Sequence, residues 1–149
     1  MNRNKIQLEI CKVLLKNGYG TVWGCDLGRG KMAIGFGPLI FVFEEDEIVI
    51  DRGKIKSVDL TGFLCEDGGD VTITPTERAL IRDDEVYCEY EGDDTRIYIP
   101  RTLAKWFEGL EFLSHGEEDR TLIRDLSGEI VGAILPSIRV GEKENALGI

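Results

Sequence analysis

Carboxylates are the side chains in this sequence that could most readily do chemistry, since Asp and Glu number 28 among 149 residues. A pair of them can act as general acid and base, and a cluster can bind calcium. The calcium-loop pattern D-x-[DN]-x-[DN]-G does not occur. With this many carboxylates the sequence offers no way to choose one catalytic pair. We therefore predict that the protein is not an enzyme, and we predict no metal site and no cofactor.

Two other features suggest chemistry, but neither fits the residue pattern that the chemistry requires. The stretch Gly24–Met32 resembles a phosphate-binding loop, but five residues separate Gly24 from Gly30-Lys31 and Met32 stands where a Ser or Thr is needed. We predict a glycine-rich hairpin there.

His115 is the single histidine and lies in a polar turn. A catalytic histidine needs a nucleophile and an orienting acid close by, so we predict a surface histidine.

The acidic charge is concentrated in the middle of the chain. The net charge is −10, yet residues 1–43 carry six basic and two acidic residues, whereas residues 44–94 carry five basic and seventeen acidic ones. A surface this acidic excludes coating of nucleic acid by the whole protein, because phosphate binding needs many cations. The acids either solubilise turns or form a face for a basic partner. The candidates for that acidic face are Glu44, Glu45, Asp46, Glu47, Asp83, Asp84, Glu85, Asp93 and Asp94.

The cysteines and the hydropathy pattern point to a compartment. Four cysteines stand at positions 11, 25, 65 and 88, with no C-x-x-C spacing. No stretch approaches the roughly 20 apolar residues of a membrane span, and the first residues do not resemble a signal peptide. We expect a cytoplasmic protein without a membrane partner.

The periodicity of apolar residues predicts an α+β fold with a mostly antiparallel sheet and two short helices. The helices are expected at Asn4–Asn17 and Arg101–Gly109, and Leu110–Leu113 either continues the second helix or forms a strand. We expect one domain over residues 1–140 and a polar tail over 141–149. Strands are predicted at Thr21–Cys25, Lys31–Phe36, Leu39–Phe43, Ile48–Ile50, within Lys54–Leu60, and at Val71–Thr74, Ala79–Arg82, Val86–Tyr90, Thr95–Ile99, Thr121–Arg124 and Ile130–Leu135.

Part of the second half resembles a domain of the bacterial sliding clamp, the ring-shaped β subunit of the replicative polymerase. The resemblance covers residues 86–140, and the motifs that carry it are Val86-Tyr-Cys-Glu-Tyr-Glu-Gly92, Tyr98-Ile-Pro100-Arg-Thr-Leu103, Leu122-Ile-Arg124 and Ala133-Ile-Leu-Pro136-Ser-Ile-Arg139. Leu135 replaces the Met that is usual in the family, and the family's opening strand before the first helix is missing.

The resemblance implies a basic helix face and a pocket for partner peptides. Clamp helices face DNA and carry basic residues, which here would be Lys5, Lys12, Lys16, Arg101 and Lys105. The positions matching the strand beside the family's peptide pocket include Ile134, Leu135, Pro136 and Ile138. A core strand followed by a proline accounts for the same pattern, and basic residues are common on exposed helix faces.

Two functions follow as hypotheses. The first is a non-catalytic, clamp-like protein-interaction domain that acts in DNA metabolism. The alternative is a small acidic inhibitor from a phage or mobile element, which mimics DNA and blocks a basic nucleic-acid-binding host protein. Both expect a protein partner. Assembly with itself and direct nucleic-acid binding stay open.

Overall fold

The structure is a computed structural model that describes residues 1–116 and 118–136. The helices are α1 (Arg3–Asn17) and α2 (Arg101–Ala104). The strands are β1 (Val22–Gly28), β2 (Lys31–Phe36), β3 (Leu39–Glu44), β4 (Lys56–Ser57), β5 (Val71–Arg82), β6 (Glu85–Gly92), β7 (Thr95–Pro100), β8 (Glu111–Ser114), β9 (Thr121–Arg124) and β10 (Ile130–Ile134).

The ten strands of the described residues belong to one mixed sheet, in the order β4-β1-β2-β3-β10-β9-β8-β5-β6-β7. Every pairing is antiparallel except that of β1 with the two-residue strand β4. The predicted α+β class and the mostly antiparallel sheet are therefore confirmed. No helix within the described residues is long and apolar enough to cross a membrane.

Strand β5 joins the two halves of the sheet. Its first residues, Val71–Ile73, pair with β8, and its remainder pairs with β6. A bulge between Pro75 and Ala79 interrupts the pairing with β6, and Glu77 within it has a φ of 70°. The sequence predicts two strands here, whereas the structure has one strand of 12 residues. A bulge of this kind bends the strand and increases its local twist.

Both helices cover the same side of the sheet. Asn2 caps the start of helix α1, since its side chain accepts a hydrogen bond from the amide of Lys5, and Gly18 caps the end of the helix. It buries Ile6 and Ile10 in one apolar cluster with Ala104 of α2 and Phe107. On the opposite side of the sheet, a smaller cluster forms around Ala33, Ile40, Leu60, Leu113, Leu122 and Ala133. The sheet therefore has an apolar layer on each side, and the helices lie on only one of them.

The predicted strand Ile48–Ile50 is wrong. These residues follow a short 3-10 turn, Glu45–Glu47, and Val49 is 83% exposed. The buried side chain of Gln7 explains the irregular path, because it donates a hydrogen bond to the carbonyl of Glu47 and accepts one from the amide of Val49. Those two backbone groups bond to a helix side chain instead of to a neighbouring strand.

The second helix is shorter than predicted. It ends at Ala104, and a 3-10 turn, Lys105–Phe107, follows. Gly109 then adopts a φ of 83°, a conformation that favours glycine, and the chain turns into β8. Of the two alternatives for Leu110–Leu113, the strand is the one present.

Replacing Gly132 with Ala is expected to destabilise the protein by about 2–3 kcal/mol, because overpacking a core forces backbone and ring shifts. A Cβ at this position would lie 2.6 Å from the carbonyl oxygen of Ile40 and 2.7 Å from the fully buried ring of Phe107. Gly62→Ala is the control, since nothing lies within 4 Å of its added Cβ. Urea unfolding measures both variants. Equal midpoints for the two would contradict this account of the packing.

Candidate functional site

A groove of about 610 Å³ lies between the sheet and residues 101–110, which comprise α2 and the turn after it and are called the α2 segment below. Ile73, Tyr90 and Phe112 supply apolar lining from three neighbouring strands, and Phe107 supplies it from the turn after α2. A volume of this size matches ordinary ligand pockets. The groove can therefore accept several apolar side-chain groups or a small apolar ligand.

The local sequence explains why the groove forms here. Pro75 lies opposite Tyr90, and Ala79 lies opposite Cys88, so these residues share one face of the β5–β6 pair. Pro100 ends β7 and directs the chain back over that face as α2. Because α2 is only one turn long, it covers part of the face and leaves the groove beside it.

Two cations lie at the groove. Arg101 and Lys105 both line it, both are exposed, and they are four residues apart on the α2 segment. Among the residues that the structure describes, neither has a carboxylate oxygen within 4.0 Å. Glu108 contributes one acid to the lining. Apolar walls beside two unpaired cations fit an apolar group that carries a negative charge.

Tyr90 adds a polar group to the groove without adding charge. Its ring stacks on Phe112 with centroids 5.1 Å apart and an interplanar angle of 16°. Burial, with a smaller contribution from neighbouring Cys88, raises the pKa of Tyr90 to about 12. The phenol is therefore neutral at physiological pH and can donate or accept a hydrogen bond.

The structure places the predicted acidic residues on three separate turns. Glu44–Glu47 lie at the end of β3, Asp83–Glu85 lie where β5 turns into β6, and Asp93–Asp94 lie where β6 turns into β7. The last two sets sit at opposite ends of β6, about 25 Å apart at the ordinary rise of a strand. Strand β3 lies five places along the sheet from β6.

Part of the acidic excess is neutralised within the fold. Lys31 lies 3.9 Å from Glu44, and Arg3 lies 3.3 Å from Glu47. Glu89 is buried, and its carboxylate accepts hydrogen bonds from Thr76 and Tyr98, each at 2.8 Å. The charge of the middle segment is thus partly paired inside the protein.

The predicted basic residues lie on the helix side of the sheet. Lys5, Lys12 and Lys16 follow one stripe of α1, and the Nζ of Lys5 lies 5.6 Å from the ring centroid of Trp106 in the turn after α2. This contact brings α1 close to the segment that carries Arg101 and Lys105. Two exposed leucines, Leu8 (57%) and Leu15 (89%), accompany the lysines.

The described residues among those predicted for a peptide pocket do not line this groove. Ile134 is buried in the main core, and Leu135 packs against the smaller cluster while its amide donates to the carbonyl of Pro38. Pro136 is half-buried, and none of these three residues lines the groove. Ile138 lies outside the described residues.

A second cluster joins Asp70, His115 and Arg120. Arg120 donates hydrogen bonds to both carboxylate oxygens of Asp70, at 2.8 and 2.9 Å, and to the carbonyl of Cys65. His115 lies between two acids, 3.0 Å from Asp70 and 2.5 Å from Asp119. The side-chain ligand atoms of Asp67, Asp70 and His115 lie within 4.8 Å of one another. Because Arg120 already occupies both oxygens of Asp70, we interpret the cluster as an internal ion-pair network.

The network shifts the pKa values of its members in opposite directions. Burial alone would raise the pKa of Asp70, but hydrogen bonds from Arg120, the Asp67 amide and His115 outweigh it and hold that pKa far below its usual range. The hydrogen bond with Asp70, aided by the charges of Asp119 and Asp67, raises the pKa of His115. His115 is therefore a half-buried member of the network, where the sequence predicts a surface histidine.

The charge of His115 makes stability depend on pH. Because its folded pKa exceeds the ordinary value of 6.5, its contribution is fully present below about pH 6.5 and is lost as the pH rises through the folded value. His115→Gln is expected to remove that loss, so its unfolding free energy changes less than that of the natural protein between pH 6 and 9. Urea unfolding across this range measures the difference. Parallel curves for the two proteins would contradict the prediction.

The sequence predicts neither the groove nor the ion-pair network, and the reason is the same for both. The groove combines side chains from β5, β6, β8 and α2, and the ion-pair network joins residues 50 positions apart. One signal was present, because Val86, Cys88 and Tyr90 alternate along β6 and predict a shared apolar face.

Comparisons with protein-family models, with curated proteins and with solved structures find no match for this chain.

Proposed function

We propose that the protein is a non-catalytic protein-interaction domain, and that its groove binds a short segment of a partner protein with apolar side chains next to carboxylates. The observation that carries this proposal is that Arg101 and Lys105, which have no ion pair among the described residues, lie at an apolar groove in a chain of net charge −10. Although the whole protein is acidic, a cationic patch of this kind attracts negatively charged groups locally. Charge complementarity then favours an acidic partner segment.

The continuation of the groove supports a chain segment as the ligand. The apolar face of the β5–β6 pair runs on from Tyr90 through Cys88 and Ala79 to Ile81, which is 74% exposed. A small molecule in the groove would leave this exposed stretch uncovered. A segment of several residues can fill the groove and cover the stretch at the same time.

A narrower role, clamp-like action in DNA metabolism, is proposed from the resemblance of residues 86–140. The position of the basic residues supports this role. Because α1 and α2 pack into one apolar cluster on one side of the sheet, the basic residues that they carry lie on that same side. A titration with duplex DNA at low salt tests it. The role predicts binding that weakens when Lys12 and Lys16 are both changed to Glu. Absence of binding at low salt would count against direct contact with DNA.

Selection from a random peptide library tests the main proposal, since it requires no known partner. Twelve-residue peptides are displayed and selected on the natural protein, and the selected peptides are then tested on a variant with Arg101→Glu and Lys105→Glu. The proposal predicts acidic peptides with apolar residues, which lose binding to the variant. Selection of basic peptides would overturn it and favour the acidic-inhibitor alternative. Selected peptides that bind both proteins equally would also overturn it.

A further inference from the structure

We propose that the partner segment binds as an added β-strand along the free edge of β5, with alternate side chains in the groove. This inference rests on the proposed function, since it specifies how the same groove holds its partner. Edge strands with unpaired backbone groups are templates for such additions. The added strand would lie against Ala79–Ile81, which follow the bulge in β5.

Among the residues that the structure describes, no strand pairs with the outer edge of β5 at Ala79–Ile81. Strand β8 pairs with Val71–Ile73, and the strand that pairs with Ala79–Ile81 is β6. Two large apolar side chains on this stretch are exposed, Leu80 at 42% and Ile81 at 74%. An open edge with exposed apolar residues is a common binding or aggregation site.

The register shows which backbone groups are free. Asp83 and Asp84 form a two-residue turn with φ angles of 52° and 63°, so the flanking pair, Arg82 and Glu85, closes the hydrogen-bonded ladder. Bonding alternates along an antiparallel pair, so the amides and carbonyls of Ala79 and Ile81 point away from β6. The same alternation places Pro75 at an outward position on β5, where no donor is lost to β6.

The free edge and the groove lie on the same part of the molecule. Ala79 and Ile81 lie opposite Cys88 and Val86, and Cys88 lines the groove. A strand added about 4.8 Å from β5 would present every second side chain on this face. Those side chains would meet the apolar lining, and a carboxylate among them could reach Arg101 or Lys105.

A partner segment fits the edge better than a second copy of this chain does. If two copies paired through β5 so that Ala79 faced Ile81 of the other copy, Arg78 would face Arg82 of that copy. Like charges directly opposite one another destabilise a strand pair. An acidic segment avoids this contact between arginines, and its carboxylates complement the two cations, Arg101 and Lys105, that line the groove.

Methylation of single backbone nitrogens in a selected peptide tests the added strand. A methyl group removes one donor and blocks strand pairing at that residue. The proposal predicts that binding falls at least tenfold at every second position and changes little at the positions between them. Losses without a two-residue period would overturn the proposal, as would uniform tolerance of methylation.

A proline substitution tests the same edge from the side of the protein. Ala79→Pro removes an outward donor without removing a bond to β6, and we expect it to weaken peptide binding at least tenfold. Arg96→Pro is the matched control, since Arg96 occupies the equivalent outward position on β7, the last strand of the sheet. Equal affinities of the two variants would overturn the added strand. Sedimentation that shows a dimer lost only in Ala79→Pro would also overturn it, in favour of self-pairing.

The outcomes separate this inference from the proposed function. If Arg101→Glu with Lys105→Glu abolishes binding while Ala79→Pro and methylation have no effect, the groove binds its partner without strand addition. If the charge reversal has no effect either, both proposals fail.

Discussion

Reversing both groove cations, by Arg101→Glu and Lys105→Glu, is expected to weaken binding of a selected acidic peptide by about 30- to 150-fold. Each reversal replaces an attraction with a repulsion near a partly apolar surface, and together they are expected to cost about 2–3 kcal/mol of binding free energy. Both side chains are exposed, so we expect the unfolding free energy to change by less than about 0.5 kcal/mol. Calorimetric titration measures the affinity, and urea unfolding measures the stability.

The matched control carries the same change of charge on another part of the helix side. Lys12→Glu with Lys16→Glu also lowers the net charge by four, from −10 to −14, but it places the new acids on α1. We expect at most about a threefold loss of peptide affinity, because exposed charges further away than a Debye length are screened. A comparable loss in both double variants would mean that net charge, rather than the groove, controls binding.

Replacing Arg120 with Met is expected to destabilise the protein by about 3–5 kcal/mol, because it leaves the buried carboxylate of Asp70 without its main partner. Asp70 and Arg120 are 2% and 5% exposed at their side chains. Removing Arg120 also removes the main hydrogen bonds that hold the pKa of Asp70 low. The variant should therefore recover part of its relative stability as the pH falls and Asp70 becomes protonated.

A surface arginine provides the comparison for this second prediction. Arg124 pairs with Glu111 and Glu66, and its side chain is 26% exposed. Arg124→Met is expected to cost no more than about 1 kcal/mol, as exposed ion pairs contribute little. Urea unfolding at pH 7 and pH 5 measures both variants. If both lose the same stability, Asp70 and Arg120 contribute no more than a surface pair.

Much of the fold could be predicted because short-range signals determine it. Gly-rich and Asp-rich turns separate the apolar runs, so most strands and the start of α1 follow from turn chemistry and from periodicity. The strand predicted at Ile48–Ile50 failed because a tertiary contact with Gln7 outweighs the β propensity of three β-branched residues. The predicted second helix is too long because the α-helix ends at Ala104 and a 3-10 turn, Lys105–Phe107, follows it, a change that the apolar periodicity does not reveal.

The candidate site was predicted only in part. The sequence indicated Arg101 and Lys105 as exposed cations on a helix, and the structure adds the apolar groove next to them. That groove could not be predicted, because it forms where the single turn of α2 leaves part of the β5–β6 face uncovered. The sequence predicts one acidic face, whereas the structure distributes these acidic residues over three separate turns.

The most direct test of the account is a map of backbone amide chemical shifts during titration with a selected acidic peptide. The account predicts that the largest changes fall on groove residues such as Ile73, Tyr90 and Lys105, and on Ala79 and Ile81 at the free edge. Changes centred on Glu44–Glu47, Asp83–Glu85 or Asp93–Asp94, with the groove unaffected, would contradict it.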